Sequence, residues 1–147
     1  MEHRHDSIST SVTLIDCLLR FGLNHLTVDY YFAILTLAHT FSLNREEHQE
    51  VMQIESLMNQ YLAINKNKSQ TAQTWLCKLE RLFKMQSYGE VQAQVNHMAK
   101  FCSKYGLYEF KFAAELILVE VYLAAGDIGQ AMVLLSQTVA SLEQYPN

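Results

Sequence analysis

Residues 113–146 contain two apolar helical patterns joined by the turn Ala125-Gly126-Asp127, and this pairing constrains the fold more than any other stretch. Gly126 predicts the end of the first helix, because glycine adopts the left-handed backbone conformation at little cost. Asp127 and Gln130 are spaced as a capping box that would begin the second helix. The apolar positions recur at helical spacing: Leu116, Val119, Tyr122 and Leu123 before the turn, then Ile128, Ala131, Leu134, Leu135 and Val139. Neither helix can bury its stripe alone, so the segment predicts a helical hairpin packed against further helices.

The last helix of this hairpin carries a further requirement. It contains Met132, Leu134, Leu135, Val139 and Leu142, and only Tyr145-Pro146-Asn147 follows it. A terminal repeat normally presents a polar outer face. We therefore expect this helix to be covered by something outside this sequence.

Helix breakers are scarce throughout the chain, which has one proline and five glycines among 147 residues. No segment alternates polar and apolar residues long enough to indicate a strand. The sequence predicts an all-α protein, an α-solenoid of three helical hairpins plus one leading helix, folded as a single helical-repeat domain over residues 1–147. The expected elements are the leading helix at 9–21 and repeats at about 27–64, 69–105 and 107–143. We expect the chain to be a piece of a longer repeat protein.

The turns inside the three hairpins share a capping pattern. The patterns are Asn44-x-x-Glu47, Ser87-x-x-Glu90 and Asp127-x-x-Gln130, and their first residues lie 43 and 40 residues apart. The last two hairpins also match at apolar positions, for example Leu76 with Leu116 and Leu79 with Val119. Near-constant spacing of this kind indicates repeated structural units. The first hairpin fits only with a slightly longer turn, so we expect it to be a divergent copy.

The last hairpin resembles the tetratricopeptide repeat superfamily. The resemblance rests on Leu118-x3-Tyr122, Gly126-Asp127-Ile128 and Ala131-x3-Leu135, with Trp75 and Tyr30 at the aromatic position that opens the unit. Glu115 replaces that aromatic residue in the last repeat, Val119 replaces a small residue, and the period is longer than the family's. The resemblance implies a right-handed superhelix that binds other proteins.

Within that superfamily, residues 96–104 and 114–131 resemble the C-terminal repeats of a large helical scaffold in the anaphase-promoting complex, a ubiquitin ligase of the cell cycle. This resemblance implies a non-catalytic scaffold that contacts other protein subunits or adjacent repeats. Two alternatives stay open. One is a stand-alone adaptor or regulator that binds a peptide or helix in its groove. The other is a small helical-bundle enzyme or cofactor binder, which predicts a buried cluster of ionisable side chains lining a pocket.

Composition narrows the classes of partner and compartment. Charged residues make up 18% of the chain, the net charge is −4, and the 11 basic residues form no run, which disfavours nucleic acid. The most apolar stretch, 113–125, is interrupted by Glu115 and Glu120 and is too short to span a membrane. The polar N-terminus disfavours a secretory signal. We expect an intracellular protein, cytoplasmic or nuclear, whose three unclustered cysteines, Cys17, Cys77 and Cys102, are buried reduced thiols.

Motifs for catalysis or metal binding are absent from the sequence. It contains no HExxH, GxxxxGK or GxSxG, and its six histidines are scattered. Glu46, Glu47 and Glu50 are expected to be acids near a helix N-terminus, where the helix dipole favours them. The sequence therefore predicts no catalytic residue, no metal ligand and no cofactor.

A solenoid of this kind would present residues of each first helix on a concave face. Extrapolation of the repeat gives the candidates Tyr31, Leu35 and His39, then Gln73, Leu76, Glu80 and Lys84, then Leu116, Glu120 and Leu123. These positions are apolar or mixed in sign, so they suit an apolar helix or an extended peptide better than a clamp for carboxylates. The alternative is that the same residues pack inside the solenoid.

Overall fold

The computed structural model describes residues 28–144. The expected leading helix at 9–21 and Cys17 lie outside this range. Residues 28–144 form six α-helices and contain no strand, which confirms the all-α class. The helices are α1 Val28–Asn44, α2 His48–Ile64, α3 Lys68–Lys84, α4 Tyr88–Tyr105, α5 Tyr108–Ala124 and α6 Ile128–Glu143.

The helices recur with a regular period. They begin at positions 28, 48, 68, 88, 108 and 128, so a new helix starts every 20 residues and a new hairpin every 40. The helix pairs span 28–64, 68–105 and 108–143, against the expected 27–64, 69–105 and 107–143. The first hairpin has the same length as the other two and needs no longer turn.

The turn inside each hairpin has one geometry in all three copies. Its middle residue is left-handed: Glu46 with φ of 60°, Gln86 with φ of 61° and Gly126 with φ of 78°. The next N–H donates back to a carbonyl five residues earlier: Glu47 to Ser42 at 2.9 Å, Ser87 to Leu82 at 2.9 Å and Asp127 to Tyr122 at 2.8 Å. This pattern closes the preceding helix and satisfies carbonyls that its last turn leaves open.

The expected N-cap at Asn44 is wrong. Asn44 is the last residue of α1, and Glu47 is the N-cap of α2. The N-caps at 47, 87 and 127 therefore repeat every 40 residues, and the apparent interval of 43 came from choosing the wrong capping residue. The equivalence is hidden in the sequence because Glu46 takes the left-handed position that glycine holds in the last repeat.

The other caps differ in chemistry. Asp127 caps α6 as expected, since its Oδ1 accepts from the Gln130 N–H at 3.2 Å. Ser87 is the N-cap of α4, but its side chain accepts no capping hydrogen bond within the described chain. Asn67, which the sequence analysis missed, begins α3 by accepting from the Gln70 N–H at 3.0 Å. Gly106 ends α4 in the left-handed conformation, as predicted.

The described residues belong to two compact units, Met1–Cys77 and Lys78–Asn147, and the division falls within α3. In the first unit α1 packs on α2. Its apolar core consists of Tyr31, Phe32 and Leu35 from α1, Ile54, Met58 and Tyr61 from α2, and Cys77 from α3. The Tyr61 ring lies 5.7 Å from that of Tyr31 and 5.4 Å from that of Phe32, distances typical of favourable aromatic pairs.

The second unit is built by α5, which packs on both α4 and α6. Side-chain hydrogen bonds link the helices at each contact. Gln92 of α4 donates to the Tyr122 hydroxyl of α5 at 3.3 Å, and Thr138 of α6 donates to the Glu115 carboxylate of α5 at 2.8 Å. Glu115, which departs from the repeat pattern, is thus a partner for the buried Thr138.

Candidate protein-interaction surfaces

Three of the candidate concave-face residues lie in the core. Tyr31, Leu35 and His39 are buried on the side of α1 that packs against α2. The sequence analysis had placed the packing stripe of α1 at Tyr30, Ala33, Ile34, Leu37, Ala38 and Phe41, which is the wrong side. The error has a physical cause: α1 is apolar around most of its circumference, so its periodicity alone does not indicate which side is buried.

The other candidates stay accessible to different degrees. Gln73 of the first unit is half-buried, and its amide donates to the Cys77 Sγ at 3.9 Å. In the second unit Glu80 is half-buried, while Lys84 and Glu120 are exposed. Leu76 is half-buried, and Leu116 and Leu123 are exposed. The ten positions do not form one accessible surface within either unit, because three of them are buried.

The exposed side of α1 is apolar. Tyr30 and Leu37 are 71% and 69% exposed, Phe41 is exposed and Ile34 is half-buried. We call these four residues the α1 face. They recur at intervals of four, three and four residues and therefore lie along one side of the helix. The equivalent positions of the later copies are all buried or half-buried: Gln70, Thr74, Cys77 and Arg81 in α3, and Phe110, Ala114, Ile117 and Val121 in α5.

One cation borders the α1 face. The Arg45 guanidinium lies 5.4 Å from the centre of the Phe41 ring, within the range of a cation–π contact. The same side chain donates from Nε to the Glu47 carboxylate at 3.2 Å. Arg45 is therefore held at the C-terminal end of the face, next to the left-handed turn.

A second apolar surface lies on the last helix. Ile128, Met132, Val139 and Leu142 are exposed and Leu135 is half-buried, and we call these five residues the α6 seam. They recur at intervals of four, three, four and three residues, the spacing of a coiled-coil seam. A different side of α6, which includes Ala131 and Thr138, is buried in the second unit.

The α6 seam has a buried counterpart in α4. One period earlier its positions are Tyr88, Gln92, Val95, Ala99 and Cys102, of which Val95 and Cys102 are buried. This side of α4 faces α5, since Gln92 bonds to Tyr122 and Lys111 of α5 lowers the pKa of Cys102. The α6 seam thus exposes positions that a neighbouring helix covers in the preceding copy.

A polar cluster is buried in the first unit. The His39 Nε2 lies 3.1 Å from the Glu55 Oε2, and both residues are buried. Ser42, one turn after His39, is also fully buried. Within the described chain, the His39 Nδ1 and the Ser42 Oγ have no hydrogen-bond partner. Histidine, carboxylate and hydroxyl are groups used in acid–base chemistry, but here the fold closes them off from solvent.

Burial also alters two titrating groups. It raises the pKa of the Tyr31 hydroxyl above its ordinary value. It raises the pKa of the Cys102 thiol, and the nearby Lys111 ammonium acts in the opposite direction. Cys77 and Cys102 are free, buried thiols. A raised pKa keeps the Cys102 thiol protonated at neutral pH, so it is a poor nucleophile.

Two other kinds of site were searched for in residues 28–144. No group of three or more histidine, cysteine, aspartate or glutamate side chains there is arranged to hold a metal ion. None of the helices in that range combines the length and apolarity needed to cross a membrane.

Comparison of the chain with protein-family models, curated protein sequences and solved structures gives no match. The argument about function therefore rests on the two exposed apolar surfaces and on the sequence resemblance described above. Sequence reasoning had anticipated the uncovered last helix, but it missed the α1 face because it assigned the opposite side of that helix to the core.

Proposed function

We propose that this chain is a non-catalytic protein–protein interaction scaffold of 40-residue helical hairpins that works within a larger complex. One observation carries the proposal. The first and last described helices expose apolar side chains at positions that are buried or half-buried in neighbouring copies. Contiguous exposed apolar surface of this kind marks protein-binding sites in soluble proteins.

The chemistry of the α1 face indicates the type of partner. Its four residues extend along about 16 Å of helix, at a rise of about 1.5 Å per residue. Two of them, Tyr30 and Phe41, are aromatic, and aromatic residues are enriched at the centres of interfaces. The face itself contains no charge, so a partner is selected by shape and apolar contact. An amphipathic helix with apolar residues at matching intervals fits this surface.

At a finer level, the proposed arrangement is a right-handed tetratricopeptide-like solenoid. The proposed complex is the anaphase-promoting complex, with the chain corresponding to the C-terminal repeats of its subunit 5, in cytoplasm or nucleus. The support is the sequence resemblance and the helical hairpins of constant length, a feature that suits stacked repeats.

Affinity capture of the tagged chain from cell extract, followed by mass spectrometry, tests this function. We expect ligase subunits with the wild-type chain, and at least tenfold less of them with Leu37→Glu, because a buried carboxylate in an apolar interface is costly. Met52→Glu is the matched control, since Met52 is exposed on α2 of the same unit and lies off the α1 face. Recovery of no ligase subunit would remove that assignment. Equal recovery of every captured protein with Leu37→Glu would remove the α1 face as the binding surface.

Two other functions have distinct consequences. A stand-alone adaptor predicts a monomer with measurable affinity for a short peptide. An enzyme or cofactor binder predicts a buried ionisable cluster lining a pocket, and the pair of His39 and Glu55 is the observation that favours it. Both side chains are buried, so a substrate would reach them only after α1 separates from α2.

A further inference from the structure

We infer that the α6 seam of one chain packs against the α6 seam of a second copy, with the two helices antiparallel, and that the protein forms a two-fold dimer. This inference rests on the proposed function, because it names the occupant of one of the two apolar surfaces. A heterologous partner is left to the α1 face.

The geometry of α6 supports a helix as the occupant. Its seam alternates intervals of four and three residues, which is the pattern that lets side chains of two helices interleave. The seam is separate from the side that includes Ala131 and Thr138, and the two lie about 100° apart around the axis, at about 100° per residue. A neighbour can therefore cover the seam without displacing α5.

The contact between α4 and α5 is the template for this packing. In that contact a helix covers Val95 and Cys102, the counterparts of Leu135 and Leu142. Leu142 is exposed although its counterpart is fully buried. The seam thus continues a helix–helix interface that the chain already forms one period earlier.

Charge and side-chain size favour a second copy as the helix that binds. Residues 128–142 contain no charged side chain, so two copies meet without repulsion along the seam. The residues beside the seam on its outer side are small: Gly129 and Ser136. Small flanking residues let two helices approach closely. In an antiparallel pair, intervals of four and three alternate in both chains, so apolar side chains interleave along the whole contact.

The size of the seam sets the strength of the dimer. Ile128 and Leu142 are about 21 Å apart along the axis, at about 1.5 Å per residue. An interface of this length falls in the small class, for which association is weak, with a Kd of about 10 to 500 μM. The charges on α6 and its N-cap are at the ends, Glu143 and Asp127, and antiparallel packing brings Asp127 of one chain near the partner's Glu143. Salt should therefore strengthen the dimer slightly, because it screens this repulsion.

Sedimentation equilibrium of the purified chain tests the inference. We expect a reversible dimer, and at least tenfold weaker association for Met132→Glu and for Val139→Glu. Val133→Glu is the matched control: Val133 is on the same helix and is 58% exposed, against 56% for Met132, but it lies off the seam. This control should dimerise as the wild type does. Far-UV circular dichroism of each variant checks that the helices are intact, which is expected because the substituted residues are exposed.

A charge swap tests the orientation. In an antiparallel pair, position 132 lies beside position 139 of the second copy, whereas in a parallel pair each lies beside its own equivalent. The double variant Met132→Glu with Val139→Lys should therefore associate at least tenfold more strongly than Met132→Glu alone. Weaker association of the double variant than of both single variants would overturn the antiparallel arrangement.

The outcomes separate this inference from the proposed function. A wild-type chain that stays monomeric up to about 1 mM, beyond the range expected for a small interface, overturns the dimer. Dimerisation that survives Met132→Glu also overturns it, because the contact then lies elsewhere. Loss of captured proteins with Met132→Glu, from a monomeric wild type, shows a heterologous helix on the seam and overturns the dimer while the scaffold function stands. Failure of the function is read from the α1 face variants instead.

Discussion

Left-handed residues are the most local constraint that the repeats share. Glu46 and Gln86 adopt the same conformation as Gly126 at the middle of their turns. A residue with a Cβ pays roughly 1–2 kcal/mol in this conformation, and glycine does not. The three equivalent hydrogen bonds that follow, at 2.8–2.9 Å, hold the chain in the turn despite this cost.

Substitution at these positions should have opposite effects on stability. Gln86→Gly should raise the free energy of unfolding by about 0.5–1 kcal/mol, because it relieves the strained φ. Gly126→Ala should lower it by about 1 kcal/mol, since alanine would be forced into the left-handed conformation. Gly89→Ala is the control: a Cβ there has open space and no positive φ, so this change should be neutral or stabilising. Urea unfolding followed by circular dichroism measures all three, and a stabilising Gly126→Ala would contradict the account of the turn.

The contact between His39 and Glu55 is a second feature at this scale. Removing one partner leaves a buried polar group without the other, so Glu55→Ala should lower the free energy of unfolding by about 1–3 kcal/mol. Replacing both with leucine should cost clearly less than the sum of His39→Leu and Glu55→Leu, because no polar group is then stranded. His48→Leu, at an exposed histidine of α2, should change stability by less than about 0.5 kcal/mol. Urea unfolding of these variants is the measurement, and additive losses would show that the pair does not act as a unit.

At the scale of elements, the three hairpins have the same turn but different caps. Asp127→Ala should lower the free energy of unfolding by about 1 kcal/mol, because it removes the acceptor for the Gln130 N–H. Ser87→Ala should change it by less than about 0.5 kcal/mol, since the Ser87 side chain makes no capping bond. Thermal unfolding of the two variants gives this comparison. A loss at Ser87 as large as that at Asp127 would show that Ser87 caps α4 in solution.

Helix positions were largely predictable and helix faces were not. Gly106 and Asp127 marked helix ends correctly, because both act on the backbone within one turn. Asn44 was misassigned because a capping pattern of four residues arises often by chance. The face of α1 was inverted because Tyr30 and Tyr31, which are neighbours in sequence, are both apolar enough for the core. Only contact with Tyr61 of α2 distinguishes them.

For the whole molecule, alkaline pH should reduce stability. Burial raises the pKa of Tyr31 in the first unit and of Cys102 in the second, so the unfolded chain releases these protons at lower pH than the folded chain. Their contribution to stability is complete below the ordinary thiol pKa of 9.0 and is lost as pH rises through the folded values.

The urea midpoint should accordingly fall between pH 8 and pH 10.5. The fall should be smaller in the double variant Tyr31→Phe with Cys102→Ala, which lacks both titrating groups. Tyr105→Phe, at a tyrosine that is partly exposed and for which no raised pKa is found, provides the comparison. An unchanged fall in the double variant would assign the alkaline sensitivity to other groups.

The sequence by itself determined the helical class and the near-regular succession of hairpins, because these depend on interactions within about one turn of the chain. Scarce glycine and proline, helical spacing of apolar residues and local caps suffice for that. The tertiary structure decided which side of α1 is buried, that His39 meets Glu55 and that the α6 seam stays uncovered. These outcomes depend on residues at least 16 positions apart, or on a neighbour one period away, so local patterns do not encode them.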